Sequence, residues 1–318
     1  MSFATPIGRI WRLVALRRQH CLRHLVWFWR SLFPRWRREP IHIWSVASGL
    51  GDEIMVLGAA QGLVKQFPQA DITLHARHIN VIGGGRGAVK IVEFTEGNLP
   101  SAGIGIRYQA KHRFPIIEQM GRELGVRLLE FPILLDEKYV VEQDVEVADD
   151  RIVIVVQTSA SAWTLNKQWI GENWKSLIEM LPTEWAIVEV GNESVLRSPP
   201  RHPRFRTMVG ATSINEYVAT IRRASLFVGP VSSGMHLAHA FQIPSVIIVG
   251  GYELGNHPYP LAHQFGTKVK CAPCWLRTPC PYDRRCLREI TPKMVVEEIH
   301  KILKKGSNTA SGFAMKAI

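Results

Sequence analysis

A short glycine-rich turn with an acidic residue is the first place along the chain where chemistry is predicted. The segment Ser48-Gly49-Leu50-Gly51-Asp52 separates an apolar run from a predicted helix. Glycines let the backbone turn tightly and approach a ligand closely, so Gly51 is predicted to lie against a bound ligand. Asp52, at the helix start, is placed to act as a general base that takes a proton from a hydroxyl. Aspartate is also a favoured helix N-cap, so a purely structural role stays open.

A second glycine turn, in the later half of the chain, is typical of anion binding. Residues 229–236 read Gly-Pro-Val-Ser-Ser-Gly-Met-His and again join a predicted strand to a predicted helix. The backbone N–H groups of Ser232, Ser233 and Gly234 are predicted to point out of the helix N-terminus, which suits a diphosphate. Such donors would also stabilise the charge of a leaving diphosphate. The alternative is a core helix that is merely capped by serine.

Two basic side chains add to this second site. Lys167 precedes a predicted helix, and its compact charge suits phosphate groups, although alone it is an ordinary surface lysine. His236 is counted among the ligand-binding candidates. It lies three residues before His239, which suggests a metal, but no carboxylate is placed nearby. A hydrogen-bonded interior histidine is therefore the better interpretation of this pair.

Four of the five cysteines lie within one short stretch, at Cys271, Cys274, Cys280 and Cys286. Four thiolates can form a tetrahedral site for zinc or iron, and a site filled by four protein ligands would be structural rather than catalytic. No secretory signal is evident, so metal binding or free thiols are favoured over disulfides. A loop of reduced, partly buried thiols is the alternative.

Apolar strands alternate with helices along two successive stretches of chain, which predicts an α/β fold with mostly parallel sheets. The first series has predicted strands at 41–46, 72–75, 89–94 and 104–108 and helices at 53–67 and 114–124. The second has strands at 151–156, 185–190, 226–228 and 245–249 and helices at 172–181, 214–224, 232–241 and 292–305. Two doubly wound, Rossmann-like domains of this kind are expected to face a ligand-binding cleft at the carboxyl ends of their strands.

The predicted organisation follows from these two series. It consists of a basic arm at 1–40, domains at 41–145 and 146–290, a closing helix at 291–305 and a flexible tail at 306–318. The net charge of +12 comes mainly from the arm, which holds nine arginines and a single acid. No run of 18 apolar residues occurs, so a membrane-spanning helix is not expected.

The arm has the pattern of an amphipathic helix, because apolar residues recur at three- and four-residue steps. Tryptophans at 11, 27, 29 and 36 and the interleaved arginines suit the surface of an anionic membrane, so contact through residues 1–36 is predicted. A basic tail packed on its own domain and an organellar transit peptide are the alternatives. Binding to nucleic acid is not predicted, because the charge is interleaved with the tryptophan stripe.

Taken together, these segments resemble glycosyltransferase family 9, the bacterial ADP-heptose:lipopolysaccharide heptosyltransferases. The resemblance covers about residues 41–303 and rests on four segments of sequence: GLGDEIMVLGAAQGLVKQFPQADITL, NKQWIGENWKSLIEML, VGPVSSGMHLAHAFQIPSVIIVG and CAPCWLRTPCPYDRRCLREITPKMVVEEI. It implies the GT-B architecture and an inverting, metal-independent transfer from a nucleotide-diphosphate-heptose donor. Asp52 then matches the proposed base, Lys167 a phosphate-contacting lysine, and Ser232, Ser233 and Gly234 the diphosphate loop.

The chain departs from the family pattern at two positions. The family has an aspartate near the donor sugar where this chain has Val231, which removes a hydrogen-bond acceptor for sugar hydroxyls. A glutamate that holds the ribose falls near Glu193, with a spacing that differs by about two residues. The identities of the sugar and of the nucleotide therefore stay open. Relatives that glycosylate autotransporters carry iron on four cysteines, which the cysteine cluster resembles.

The expected function is sugar transfer from a nucleotide-sugar donor to a lipopolysaccharide-type or other glycan acceptor, with no catalytic cofactor. The expected location is the cytoplasmic side of a bacterial inner membrane, as a peripheral protein. Two alternatives stay open. One is a protein heptosyltransferase acting on autotransporters, which the cysteines suggest, and the other is a catalytically silent GT-B scaffold, which the loss of aspartate at Val231 suggests.

Overall fold

A computed structural model describes residues 40–100, 103–108, 114–136, 152–160 and 164–310 of the chain. The chain divides into two compact units, Met1–Asp136 and Glu137–Ile318. The predicted arm, apart from Pro40, lies outside the described residues, as do the predicted boundary near 145 and the last residues of the predicted tail. Among the described residues, no helix combines the length and apolar character needed to cross a membrane.

The first unit is built on a four-stranded parallel sheet. Its elements in chain order are β1 Ile41–Ser45, α1 Leu50–Gln66, β2 Ile72–Ala76, α2 Ile79–Ile82, β3 Val89–Glu93, a 3-10 turn Glu96–Asn98, β4 Ile104–Ile106 and α3 Ile116–Leu124. The strand order is β3-β2-β1-β4. The chain first moves outward from β1 to β3 and then returns to the other side of β1, so this sheet has a topological switch point between β1 and β4.

Helix α1 is the central helix of the first unit. Its sequence is rich in helix formers, and Asp52 and Glu53 near its start and Lys65 near its end match the helix dipole. Residues 53–64 are buried, which is typical of a helix that packs inside a domain. Gln61 ties it to the chain returning from α3, because its side chain bonds the backbone N–H and C=O of Leu134 at 2.8 and 2.7 Å.

The second unit is built on a six-stranded parallel sheet of order β10-β9-β8-β5-β6-β7. Its strands are β5 Val153–Val156, β6 Ala186–Glu189, β7 Phe205–Thr207, β8 Leu226–Pro230, β9 Ser245–Ile248 and β10 Ala262–Phe265. Its helical segments are a 3-10 turn Leu165–Lys167, α4 Gly171–Met180, α5 Ile214–Arg222, α6 Ser233–Ala240, α7 Arg285–Arg288 and α8 Pro292–Ala310. The switch point of this sheet lies between β5 and β8.

The core of the second unit forms between the sheet and two packed helices, α4 and α8. Strand residues such as Ile154 and Val228 are fully buried because apolar runs of parallel strands are covered on both faces. Trp169 and Trp174 meet edge to face at 5.1 Å, and the indole N–H of Trp169 donates to the carbonyl of Ile290 at 3.0 Å. This core fixes the segment that begins α4, and with it the neighbouring Lys167.

The structure confirms the predicted α/β fold with parallel sheets and adds details that the pattern did not reveal. Helix α1 begins at Leu50, three residues before the prediction, so Gly51 and Asp52 lie within its first turn. Strands β7 and β10 were not predicted, because neither has an apolar run; β10 reads Ala-His-Gln-Phe. The last helix continues to Ala310, beyond its predicted end at residue 305.

Candidate active site

The N-terminus of α6 follows β8 at the switch point of the second sheet, where ligands bind in doubly wound folds. Ser232 occupies the N-cap position, but its side chain makes no cap hydrogen bond. Its hydroxyl donates instead to Oε1 of Gln157 at 3.1 Å. The predicted alternative, a helix capped by a serine side chain, is therefore wrong. In the first turn the N–H of Met235 donates to the carbonyl of Ser232 at 3.1 Å, whereas the N–H groups of Ser233 and Gly234 precede the first bond within the helix.

A buried tyrosine and glutamine hold the serine hydroxyls in place. The hydroxyl of Tyr217, on α5, donates to Oε1 of Gln157 at 2.8 Å and lies 3.1 Å from Oγ of Ser233. Burial raises the pKa of Tyr217, so this hydroxyl stays protonated and keeps its donor. Gln157 follows β5 directly, so residues from both strands of the switch point meet here.

Close packing explains why Gly234 is a glycine. A Cβ placed on Gly234 would lie 2.5 Å from Cζ of Phe227 and 2.7 Å from Oε1 of Gln157. Phe227 is fully buried on β8, so its ring cannot move aside easily. The absence of a side chain at Gly234 thus lets α6 begin directly over the sheet edge, with its N-terminus beside Gln157.

Lys167 lies at the same edge of the second sheet and is ion-paired with Glu253. The carboxylate of Glu253 is almost fully buried, and its second oxygen lies 3.1 Å from Nε2 of His257. Burial alone would raise the pKa of Glu253, but the charge of Lys167 and the bond from His257 hold that pKa at about 2. The ammonium of Lys167 also lies 5.6 Å from the ring centroid of Tyr252. The ion pair with Glu253 therefore fixes the position of the Lys167 ammonium, so Lys167 is not an ordinary surface lysine.

His236 is an interior histidine, as its interpretation from sequence favoured. Its Nδ1 lies 2.7 Å from the hydroxyl of Tyr259, and the ring of His239 stacks on Tyr259 at 4.0 Å. Burial, followed by the neighbouring His257, lowers the pKa of His236 well below its ordinary value. A neutral, buried His236 acts through its hydrogen bond rather than as a charge.

Asp52 and its neighbour Glu53 differ sharply in their surroundings. Asp52 is partly exposed in the first turn of α1, and the N-cap residue is Gly49, so a simple N-cap role for Asp52 is wrong. A Cβ on Gly49 would lie 2.7 Å from Oδ2 of Asp52, so glycine gives the carboxylate room. Glu53 is buried and accepts hydrogen bonds from the backbone N–H groups of Arg77 and His78 at 2.9 and 3.0 Å.

The acidic residue that was predicted to hold a ribose is not the one that the second sheet buries. Glu193 is exposed in the loop after β6. Glu189, the last residue of β6, is buried and accepts hydrogen bonds from Thr158 at 2.8 Å and Ser194 at 2.6 Å. Glu189 is thus a structural carboxylate, while Glu193 is available to solvent.

Three of the predicted cysteine ligands, Cys271, Cys274 and Cys280, lie in one loop of the second unit, and Cys286 lies in the short helix α7 that follows it; all four are free thiols. Burial, together with the other thiols nearby, raises the pKa of Cys274 and of Cys286. Among the described residues, however, no three cysteine, histidine or acidic side chains converge closely enough to hold a metal ion. The expected tetrahedral site is therefore not assembled in this arrangement of the loop.

The second unit thus brings Ser232, Ser233 and Gly234 together with Gln157 and Tyr217, two residues that the sequence reasoning missed. A polar residue directly after a fully apolar strand was the available signal for Gln157.

Glu253, the partner of Lys167, was also missed, because it follows β9 by five residues in an irregular loop. Asp52 and Gly51 lie in the first unit, after β1 at the switch point of that sheet.

Several solved structures share this fold. The iron-containing heptosyltransferase TibC of enterotoxigenic Escherichia coli aligns with a TM-score of 0.65 and 19% identity, over 84% of this chain and 76% of that one. ADP-heptose lipopolysaccharide heptosyltransferase II of E. coli aligns with a TM-score of 0.61 and 17% identity, over 84% and 99% of the two chains. A family 9 glycosyltransferase of Veillonella parvula aligns with a TM-score of 0.59 and 13% identity, over 84% and 97%. The chain therefore has the GT-B fold of these structures.

The sequence comparison finds one family model that is similar to part of the chain, most of it in the second unit. Residues 125–277 match the model of glycosyltransferase family 9 (heptosyltransferase), a stretch that contains Lys167 and the N-terminus of α6. The match covers just under half of the chain and agrees with the resemblance of its motifs to this family. No curated protein is similar to it in sequence.

Proposed function

We propose that the protein transfers heptose from ADP-heptose to a hydroxyl of a lipopolysaccharide-type or other glycan acceptor. The observation that carries this proposal is the uncapped N-terminus of α6 at the β5/β8 switch point. Such a site suits the diphosphate of a nucleotide sugar, because helix N–H groups and the helix dipole favour an anion. The names of similar structures support the donor, since one is a TibC complex with ADP-D-beta-D-heptose.

The proposed reaction is a single displacement at the anomeric carbon of the sugar. Asp52 accepts the proton of the acceptor hydroxyl, whose oxygen forms the new bond as the bond to the diphosphate breaks. The negative charge that develops on the leaving nucleoside diphosphate is stabilised by the N–H groups of Ser233 and Gly234 and by Lys167. Attack opposite the leaving group inverts the configuration. No metal takes part in this chemistry.

Val231 bears on which sugar is transferred. It is buried and apolar at the position where the family pattern has a carboxylate, so it offers no hydrogen bond to a sugar hydroxyl. Heptose is the first sugar to test, because the matching family model is that of heptosyltransferases. The alternative acceptor is a protein, as expected for an autotransporter heptosyltransferase, and the likeness to TibC together with the four-cysteine loop favours testing it.

The test is nucleotide release from a panel of nucleotide sugars that includes ADP-heptose, with glycan and protein acceptors in separate reactions. We expect release from ADP-heptose that depends on an acceptor and is lost when Ser233 is replaced by proline, which removes one N–H donor. Ser213→Ala, on the exposed start of α5, is the control and should leave release unchanged. Binding of nucleotide sugars without release from any of them would favour a silent scaffold protein.

We further propose that residues 1–36 attach the protein to an anionic membrane, at the cytoplasmic face of the inner membrane. The support is the pattern of tryptophan and arginine in the sequence. Full-length protein should sediment with vesicles that contain anionic lipid but not with neutral vesicles. Replacing Arg9, Arg23 and Arg30 with glutamate should abolish sedimentation. Equal sedimentation of the wild-type and substituted proteins would contradict this proposal.

A structural metal on the four cysteines is a separate proposal. The loop and the start of α7 hold four free thiols, which would have to move closer together to surround one zinc or iron ion. Elemental analysis of the purified protein is the test. We expect one ion per chain, and its loss when Cys274 and Cys286 are replaced by serine. Protein that is folded and free of zinc and iron would contradict the proposal.

A further inference from the structure

A buried ion pair joins Lys167, the cation proposed to stabilise the leaving diphosphate, to Glu253, a carboxylate that has no role in the chemistry described so far. The side chain of Glu253 is 2% exposed and that of Lys167 is 16% exposed. Removing two charges from water is costly, and such a pair is often no more stable than apolar residues of the same size. A pair of this kind next to a ligand-binding edge therefore points to function more than to stability.

Both oxygens of the Glu253 carboxylate are engaged, so its position is fixed. One oxygen is paired with Lys167 and the other lies 3.1 Å from Nε2 of His257. His257 is itself buried and packs edge to face against His236 at 5.2 Å. Glu253 is thus joined through His257 to His236 on α6, the helix whose N-terminus forms the proposed diphosphate site.

The backbone beside Lys167 is fixed as well. The amide of Asn166 donates to the carbonyls of Leu276 and Thr278 at 2.8 and 2.9 Å, and the hydroxyl of Thr164 donates to Leu276 at 3.1 Å. These bonds hold the turn Leu165–Lys167 against the cysteine loop. A flexible lysine is consequently restrained at both ends of its side chain, by the turn at one end and by Glu253 at the other.

The ammonium of Lys167 keeps donors for a second anion. A lysine ammonium has three N–H donors, of which Glu253 takes one. The side chain is partly exposed, whereas the carboxylate that holds it is not. A phosphate group can therefore reach Lys167 but not Glu253. Holding a cation in place before the ligand arrives improves affinity, because less side-chain freedom is lost on binding.

We infer that Glu253 is a positioning residue that fixes the ammonium of Lys167 for the diphosphate of the donor. The inference rests on the proposed function and names the residue that prepares its phosphate-binding cation. Glu253 does not touch the donor and acts only through Lys167. The effect of changing Glu253 should therefore depend on the presence of Lys167, whereas a carboxylate that only stabilises the fold has no such dependence.

The experiment is a double-mutant cycle on the full chain, with ADP binding measured by calorimetry and donor KM and kcat measured where transfer is observed. We expect Glu253→Gln to weaken ADP binding about tenfold or more, as befits a hydrogen bond to a charged group, and to raise KM more than it lowers kcat. In the Lys167→Met background, Glu253→Gln should cause no further loss. The double variant lacks both charges, so it also guards against a single variant that fails to fold.

Glu189→Gln is the matched control, because Glu189 is equally buried in the same unit but bonds only uncharged hydroxyls. It should lower the melting temperature without weakening ADP binding. Unchanged ADP binding in Glu253→Gln, or equal losses in the presence and absence of Lys167, would overturn the inference and leave the proposed function intact. Wild-type protein that binds no nucleoside diphosphate and releases none from any donor would overturn both.

Discussion

Asp52 and Glu53 are adjacent carboxylates with opposite roles. Asp52 is partly exposed at the start of α1. Glu53 is 1% exposed, accepts from the backbone N–H groups of Arg77 and His78, and also contacts the side chains of both residues. A general base must reach its substrate, so only Asp52 meets the first requirement for catalysis. A buried carboxylate with several donors instead fixes the chain that surrounds it.

We predict that Asp52→Asn lowers the rate of sugar transfer about a hundredfold or more, because a positioned base contributes roughly that much. Donor binding and melting temperature should change little, since Asp52 is not buried. The measurement is initial rate with saturating donor, beside donor affinity by calorimetry. A variant that retains most of its transfer rate would remove Asp52 from the mechanism.

We predict the opposite result for Glu53→Gln. The amide cannot accept from all of the donors that face the carboxylate, so the folded state should lose about 3 kcal/mol. Chemical denaturation measures this loss. Asp52→Asn, in the same turn of the same helix, is the control and should unfold like the wild type. Equal stability of the two variants would show that the contacts of Glu53 contribute little.

At the scale of single residues, the sequence predicted which positions belong to a site more accurately than it predicted the neighbours of those positions. Lys167 was recognised as a cation near a ligand, but its partner Glu253 lies 86 positions away, in a loop without a periodic pattern. Gln157 and Tyr217 were missed because they bond each other, and Gln157 bonds Ser232, across long stretches of chain. Long-range pairings of polar side chains depend on how strands are ordered in the sheet, which a local pattern does not contain.

At the scale of elements, the start of α6 depends on the fit between a helix and the strand before it. The predicted helix began at the correct place, because a Ser-Ser-Gly sequence after an apolar strand is a strong boundary signal. The reason for glycine at position 234 became clear only from the structure, since it lies against Phe227 and Gln157. Edge strands such as β7 were missed, because only three residues form the strand and most of it is exposed.

We predict that Gly234→Ala lowers stability by about 1–3 kcal/mol, the usual cost of overpacking a core. The added methyl group would also displace Oε1 of Gln157, which receives hydrogen bonds from Ser232 and Tyr217. Nucleoside diphosphate binding should therefore weaken beyond what the loss of stability explains. The measurements are chemical denaturation and calorimetric titration with ADP.

Ser213→Ala is the control for that variant. Ser213 and Glu216 form a capping box at the start of α5, with a bond of 3.2 Å from the backbone N–H of Glu216 to the serine hydroxyl. Removing the Ser213 hydroxyl should lower the free energy of unfolding by about 1 kcal/mol without changing ADP affinity. An equal effect of both variants on ADP binding would show that general loosening, rather than the fit of Gly234, controls the site.

At the scale of the whole molecule, the fold was the most predictable property. Continuous apolar strands alternating with helices predict parallel sheets, and both sheets were found. The strand orders were not predicted, although they decide where the sites lie. Both sheets reverse direction beside their first strand, so Asp52 follows the switch strand β1 of one sheet, and Gln157 and Ser232 follow the switch strands β5 and β8 of the other.

The buried histidines make the stability of the molecule depend on pH. His236 lies among His257, Glu253, Lys167 and His239, and burial is the largest cause of its lowered pKa. Burial and the neighbouring His42 also lower the pKa of His75, in the other unit. In both cases the folded state favours the neutral ring, so the unfolded state binds more protons as the pH falls below the ordinary value of 6.5.

We therefore predict that the free energy of unfolding decreases as the pH falls from 7 to 5, by up to about 1.4 kcal/mol per pH unit for each such histidine. The pair of Lys167 and Glu253 should not contribute in this range, because Glu253 stays ionised down to a pKa of about 2. Chemical denaturation at several pH values measures the slope. His236→Gln keeps a side chain that can bond Tyr259 but cannot titrate, so its slope should be shallower than that of the wild type. An unchanged slope in this variant would mean that protonation of His236 does not limit stability, and His75 would then be the residue to replace.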